Sequence, residues 1–175
     1  MVALQPTVTI RPIRLEDAEP FRELRIEAIR NHPLAFTADL SENEARPPEW
    51  WREQAAGCTG EGTNVIMLAD AGERLAGMTG VWTPKTGKTT HVGIVWGVYV
   101  RPEFRGRGVC DGMLGACIDW ARGKSLVTLK LSVVVGNDAA RQCYELCGFT
   151  VYGVEPAAVR WEGKLHDEHL MALRL

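Results

Sequence analysis

The chain predicts an α/β fold, a mixed sheet with helices on both faces. Three segments rich in apolar and β-branched residues, 65–69, 75–82 and 91–100, follow one another across short polar turns and read as a meander. After them helical and extended periods alternate through residues 109–154, which adds crossover connections to that meander and so implies a mixed sheet. No repeat, low-complexity tract or linker interrupts the 175 residues, so one domain over 1–175 is expected.

The first strand is expected over 7–13, where Val8 and Ile10 alternate with Thr9 and Arg11. A helix follows over 17–30: Phe21, Leu24, Ala28 and Ile29 form an apolar stripe, Pro20 sits in the permissive first turn, and Asn31-His32-Pro33 ends it. Residues 34–64 are the least regular part and are expected to form a mobile flank. Within it a helix opens at Pro47-Pro48 and carries Trp50 and Trp51. The meander turns at 70–74 and at the polar loop 83–90, and the chain continues as helix 109–122, strand 126–135, helix 138–146, strand 149–154 and a last strand 165–175.

Composition excludes several classes of function. Lys and Arg number 20 against 22 Asp and Glu, a net charge of −2, which argues against a surface dedicated to nucleic-acid phosphates. The longest unbroken apolar and glycine run, Val92 to Val100, is 9 residues, about half a bilayer span, so no membrane segment is expected. The first residues carry no export signal, which makes the cytoplasm the expected location. Five cysteines with no CxxC pair read as reduced thiols. Cys143 and Cys147 share a helix face but lack a companion at metal-binding spacing, so they are expected as small buried hydrophobes, with no metal.

The passage from strand 91–100 to helix 109–122 is the strongest local feature. Arg101, Arg105 and Arg107 against Glu103 give it a charge of +2, and Gly106 and Gly108 remove side chains where a helix begins. Unpaired amides and the positive helix end suit an anion there, a diphosphate above all, although a solvated glycine-rich turn has the same local pattern. Asp111 stands where a dinucleotide fingerprint needs its third glycine, and Trp82 where a Walker A loop ending at Gly87-Lys88-Thr89 needs its first. The loop 83–90 is therefore expected as a plain connection, with ATP binding as a distant alternative. Gly97 interrupts an apolar strand, which marks either a bulge that frees the Val98 amide or room for a bulky neighbour such as Trp96. In a second constellation Asn137 suits an N-cap, Gly148 a left-handed C′ position, and Tyr144 falls on the buried face with Ala140, Cys143 and Cys147. From spacing alone Tyr144 is a core aromatic.

Together and in this order, the two constellations resemble the GCN5-related N-acetyltransferase (GNAT) superfamily. Its signature of Gln or Arg, two residues, Gly, one residue, then Gly or Ala matches Arg105-Gly106-Arg107-Gly108-Val109 and departs at Cys110. The downstream pattern is present as Asn137, Ala140, Tyr144, Gly148 and Phe149, and residues 10–36 and 152–175 resemble small bacterial members. The resemblance implies a mostly antiparallel mixed sheet with splayed central strands and transfer of an acetyl group from acetyl-CoA to an amine. It implies that the loop from Arg105 to Cys110 holds the CoA diphosphate, that the pantetheine arm pairs along the strand at Val98 and Val100, and that Asn137 contacts the arm. The Val98 amide would polarise the thioester carbonyl, and Tyr144 would act as general acid.

Two departures accompany it. Cys110 adds a side chain beside the expected diphosphate; its spacing to Met113, Leu114 and Cys117 turns it toward helix packing. No carboxylate lies in the strand 92–100, which leaves water, Glu27, Glu42 or His91 as bases. On those grounds a non-catalytic acyl-CoA-binding or sensing module is the alternative. The acceptor, a small-molecule or peptide amine, would be set by residues 25–51 and the last strands, where Arg25, Phe36 and Trp50 either line a site or pack. The run His166-Asp167-Glu168-His169 is expected on a solvated strand edge, because its histidines point to opposite faces. A homodimer is compatible with the resemblance.

Overall fold

The computed structural model describes residues 7–175; the stretch read as lacking an export signal lies largely outside them. Seven strands form one sheet: β1 (Thr9–Pro12), β2 (Val65–Asp70), β3 (Leu75–Trp82), β4 (Val92–Val100), β5 (Thr128–Val134), β6 (Thr150–Trp161) and β7 (Lys164–Arg174). Their order is β1-β2-β3-β4-β5-β7-β6, and only β4 and β5 pair in parallel. The expected mixed, mostly antiparallel sheet is borne out.

Among the described residues five α-helices flank the sheet: α1 (Ala18–Asn31), α2 (Leu40–Ala45), α3 (Pro48–Gly57), α4 (Val109–Gly123) and α5 (Asp138–Leu146). Strand β2 shows how the layers are built. Ile66 and Leu68 enter one core with Phe21, Leu24 and Ile29 of α1 and Trp51 of α3, while Val65 and Met67 enter another with Leu114 and Cys117 of α4. Buried on both faces, β2 reads as an unbroken apolar run rather than an alternating one. Among the described residues no helix is long and apolar enough to cross a membrane.

Three departures from the sequence reading have local causes. The expected mobile flank contains an unforeseen helix, α2, nucleated by Asp39, whose Oδ1 accepts from the Glu42 amide at 3.0 Å. The strand expected to stop at 154 continues to Trp161, because a bulge between Glu155 and Val159 absorbs Pro156, and Asp167 Oδ1 accepts from the Ala157 amide at 2.8 Å. Strand β7 inserts between β5 and β6, so the run 166–169 is interior to the sheet and not at its edge. That correction could not come from alternation alone, which gives facing but not strand order.

The feature that positions the site is a bulge in β4. Met78 is in register with Tyr99 and Gly80 with Trp96, so Thr79 faces two residues, Gly97 and Val98. Gly97 takes a left-handed φ of +67°. A Cβ there would lie 3.1 Å from Arg25 Nη1, whereas room for the Trp96 ring comes from Gly80, where a Cβ would fall 2.6 Å from it. A bulge bends and twists its strand. Beyond Val92–Ile94, paired with Thr128–Lys130, β4 and β5 part, and β5 follows β7 instead along its whole length.

A half-buried ion cluster ties the first strand to the rest. Arg11 donates to Asp17 at 2.6 Å and 2.8 Å and to Asp70 at 2.9 Å, and Asp17 also accepts from the Arg14 amide. The Arg11 hydrogen bonds hold the Asp17 carboxyl below its usual range. This stabilisation is present above the unfolded-state pKa and is lost as pH falls through the lower folded-state value. Asp17→Asn is expected to lower stability by about 2 kcal/mol at neutral pH, with the gap to wild type in urea titrations narrowing below about pH 4.

Candidate active site

The β4–α4 passage starts with an anchored arginine. Arg101 pairs with Glu27 at 2.7 Å and donates to the Leu75 carbonyl at 2.8 Å, while Glu103 pairs with Arg74. Of the three loop arginines, Arg101 is therefore structural, and Arg105 and Arg107 are the two left to carry positive charge. Arg105 donates to the Val100 carbonyl at 2.8 Å and lies 3.1 Å from His32 Nε2. Burial, then Arg105, push the His32 pKa down, so its neutral ring accepts that bond.

Gly106 and Gly108 both adopt left-handed φ, +69° and +72°, and a Cβ on either would meet nothing within 4 Å. Gly108 is the N-cap of α4, and the Gly112 amide makes the bond back to its carbonyl at 2.9 Å. The amides of Val109, Cys110 and Asp111 precede that bond and point out of the helix end. Open glycines and free amides at one helix start form a concave anion cradle. The Val109 side chain is buried, so its contribution is limited to its amide.

Behind the cradle lies a cleft of about 360 Å³ whose lining includes Val98, Val100, Arg105, Gly106, Cys110, Asn137 and Tyr144. These are the predicted site residues except Arg107, Gly108 and Val109, which sit at the exposed cradle or beneath it. Val98, Asn137 and Tyr144 also line a smaller space of about 90 Å³ between the parted strands, with Trp96, Ser132 and Glu168. A third cleft, about 380 Å³, shares Phe36, Trp96, Ser132 and Glu168 with that space and adds Arg25 and Lys130. All three share Ala35 and Phe36, so they adjoin one another and mark out a single passage along the gap between β4 and β5.

Asn137 caps α5, its Oδ1 accepting from the Ala140 amide at 3.4 Å, and Gly148 takes φ +93° just past the helix end. This pinned helix presents Tyr144, 7% exposed, to the gap. Burial, reinforced by Cys110 and Cys143, pushes its phenol pKa well above the usual value, so the hydroxyl keeps its proton at neutral pH. The core-aromatic reading is half right: Tyr144 packs edge-on against Phe149 and also lines the passage.

The cysteines form a cluster that spacing does not reveal. Cys143 Sγ lies 2.6 Å from Cys110 Sγ and 3.3 Å from Asp111 Oδ1, so α4 supplies neighbours that the Cys143–Cys147 pair lacks in sequence. Among the described residues this is the one group of three metal-capable side chains within 4.8 Å of one another. Cys110 thus packs at the α4–α5 seam and also lines the first cleft, so it meets both of the settings expected for it.

None of the suggested bases lies on the passage. Glu27 is held by Arg101 and Tyr99, Glu42 is exposed on α2, and His91 is exposed at the far end of β4. The carboxylate that reaches the gap is Glu168 of β7, which lines both the space between the strands and the third cleft. It was missed because its position follows from β7 lying beside β5, where Glu168 is in register with Val134. Of the three residues left open for the acceptor region, Arg25 and Phe36 line the third cleft and Trp50 packs against Trp51.

The chain belongs to the acetyltransferase (GNAT) family, whose profile matches residues 23–149. It is 29% identical over 151 residues to a mycothiol acetyltransferase of Thermobispora bispora, an alignment covering 82% of this chain and 48% of that protein. The chain thus spans about half the length of that relative. It is also 29% identical over 117 residues to an L-methionine sulfoximine/L-methionine sulfone acetyltransferase of Pseudomonas aeruginosa, covering 66% of this chain and 67% of that one. Among solved structures, a GNAT-family acetyltransferase of Streptococcus pneumoniae superposes with a TM-score of 0.86 at 20% identity, covering 97% of this chain and 100% of the other. The Salmonella typhimurium protein yncA, solved with its cofactor acetyl-CoA, gives 0.78 at 20% identity, with 97% and 94% covered.

Glu27 serves as a test of the assignments above. Because Arg101 and Tyr99 both spend donors on it, Glu27→Gln is expected to lower stability by about 2 kcal/mol. Any activity measured at saturating substrates should persist, since Glu27 lies off the passage; thermal melts and turnover assays check both.

Proposed function

We propose that the chain, as a single domain over 1–175 working in the cytoplasm, transfers the acetyl group of acetyl-CoA to an amine by direct attack on the thioester. The observation that carries this reading is the passage itself: a cradle for a diphosphate at one end, an unpaired bulge facing Tyr144 in the middle, and a separate cleft for a second molecule beyond. The names of the Thermobispora and Pseudomonas relatives, which refer to small molecules, favour a small-molecule amine over a peptide.

Bound acetyl-CoA supplies an acetyl group already activated as a thioester. The open Gly106 and Gly108, the amides of Val109 and Cys110, and Arg105 and Arg107 fit its diphosphate, with two positive side chains and a helix N-terminus against its charge. Val98 and Val100 offer backbone groups to the pantetheine arm on the edge that β4 turns away from β5. Asn137 adds a polar contact from the start of α5.

Each remaining residue has one task. The Val98 amide, in register with no residue of β3 or β5, donates to the carbonyl oxygen where negative charge grows during attack. Glu168 takes the proton that the attacking amine must lose. As the new C–N bond forms and the C–S bond breaks, Tyr144 gives its proton to the departing sulfur. Glu168 and the packing of Cys110 at the α4–α5 seam favour catalysis over a sensing module, since they answer the two features that suggested one. The loop 83–90 leads into strand β4 rather than a helix, which removes the geometry of a Walker phosphate loop.

The reading is tested by release of free CoA thiol from acetyl-CoA over a panel of amino acids, polyamines, aminoglycosides and peptide N-termini. Transfer to some amine is expected; tight acetyl-CoA binding without transfer to any would support the sensing module instead. Tyr144→Phe should lower kcat about 100-fold, the low end of acid catalysis because a thiolate is already a fair leaving group, with little change in acetyl-CoA affinity. Glu168→Gln should lower kcat/KM for the amine most at neutral pH and recover as pH rises and the amine deprotonates itself; a uniform loss across the pH profile would return Glu168 to a structural role.

A further inference from the structure

One largely buried cation on the passage forms no ion pair among the described residues. Arg25 of α1 lies within cation–π reach of two aromatic rings, its guanidinium carbon 5.1 Å from the centre of Phe36 and 5.2 Å from that of Trp96. Its Nη1 is sealed from solvent and has no hydrogen-bond partner. No carboxylate pairs with it, whereas Arg11, Arg22, Arg30, Arg101 and Arg141 all hold ion pairs. A charge taken out of water without a partner is costly. Burial lowers its pKa to about 10, which still leaves it charged at neutral pH.

We propose that Arg25 binds a carboxylate on the acceptor, so that the amine substrate is a small amino acid or related amino carboxylate. The inference rests on the acetyl-transfer reading and narrows its acceptor. Three features of the cleft of about 380 Å³ support it. Arg25 lies on the same wall as Trp96 and Gly97, beside the bulge whose next residue is Val98. Glu168, on β7, places a negative group for the ammonium of the same molecule. Phe36, Trp96 and Leu170 offer apolar surface for a side chain. A guanidinium within cation–π reach of two rings and paired with no carboxylate has donors left for a planar anion, the kind of group that arginine recognises best. Lys130, also on this cleft, stacks over Tyr152 at 5.8 Å and adds positive potential without a guanidinium's planar fork.

The test compares leucine, methionine and phenylalanine, each beside its amide and its decarboxylated amine. Acetyl transfer is read as CoA thiol release, and binding is read separately by calorimetry with the free acids. At least one free acid is expected to be acetylated with kcat/KM about 10- to 100-fold above its two partners. Arg25→Met should remove that preference and the calorimetric signal for the acid, leave acetyl-CoA binding unchanged, and leave the decarboxylated amines within a few-fold of wild type. Arg25→Lys, which keeps the charge but loses the fork, should recover part of the preference and serves if the methionine variant fails to fold. Equal use of acids and amines by the wild type, an equal loss for both in the variants, or no Arg25-dependent binding of any acid would overturn the inference. Arg25-dependent binding of acids with no acetyl transfer to any compound would uphold the subsite and overturn the acetyl-transfer reading instead.

Discussion

The parting of β4 from β5 is the constraint on which the rest of this structure depends. A parallel pair buried in the middle of a sheet normally keeps its ladder, because unpaired backbone groups in the interior are costly. Here the ladder stops after Val92–Ile94, and the cost is met by different means on the two sides. Strand β5 remains fully paired to β7 on its other edge. Strand β4 bulges at Gly97 and Val98, with Thr79 Oγ1 donating to the Trp96 carbonyl at 3.2 Å, and its free edge faces the passage. The gap thereby opens main-chain groups at the centre of the sheet to a ligand.

Elements positioned by their own residues were legible in the sequence. Helix α5 is bounded as expected because its cap, its left-handed exit and its apolar face all lie within thirteen consecutive residues. The bulge was legible from Gly97, and the cradle from Gly106 and Gly108. Features that depend on strand order were not. Glu168 enters the passage only because β7 lies between β5 and β6, and Cys110 meets Cys143, 33 residues away in the chain, only because α4 and α5 pack side by side. Helix α2 was lost for a different reason: its six residues carry little apolar signal, and Asp39 is the one local mark of its start.

Arginine illustrates how little residue type decides by itself. Arg101 and Arg105 stand four residues apart in the loop that the sequence marks as an anion site, yet Arg101 is consumed by Glu27 and by the Leu75 carbonyl. It braces the loop against α1 and β3, and this leaves Arg105 and the exposed Arg107 to set the potential at the cradle. Arg25 is a third case. It sits in an ordinary helical pattern and carries no motif, but burial without a carboxylate makes it the guanidinium with most to gain from an anionic ligand.

Cys110 bears on the same electrostatic question. A thiolate on Cys143, beside the diphosphate cradle, would repel the ligand, and Asp111 already brings one negative charge to that turn. The cluster limits both effects. The hydrogen bond with Cys110, then burial and Asp111, push the Cys143 thiol far above its usual pKa, so it stays neutral under physiological conditions. Asp111 in turn accepts from Cys143 at 3.3 Å, toward the α4–α5 seam. Against that single carboxylate stand Arg105, Arg107 and the positive end of α4, so the balance at the cradle favours an anion. The larger side chain at this position has a partner in Cys143 on α5, while the amide of Cys110 still faces out from the helix end.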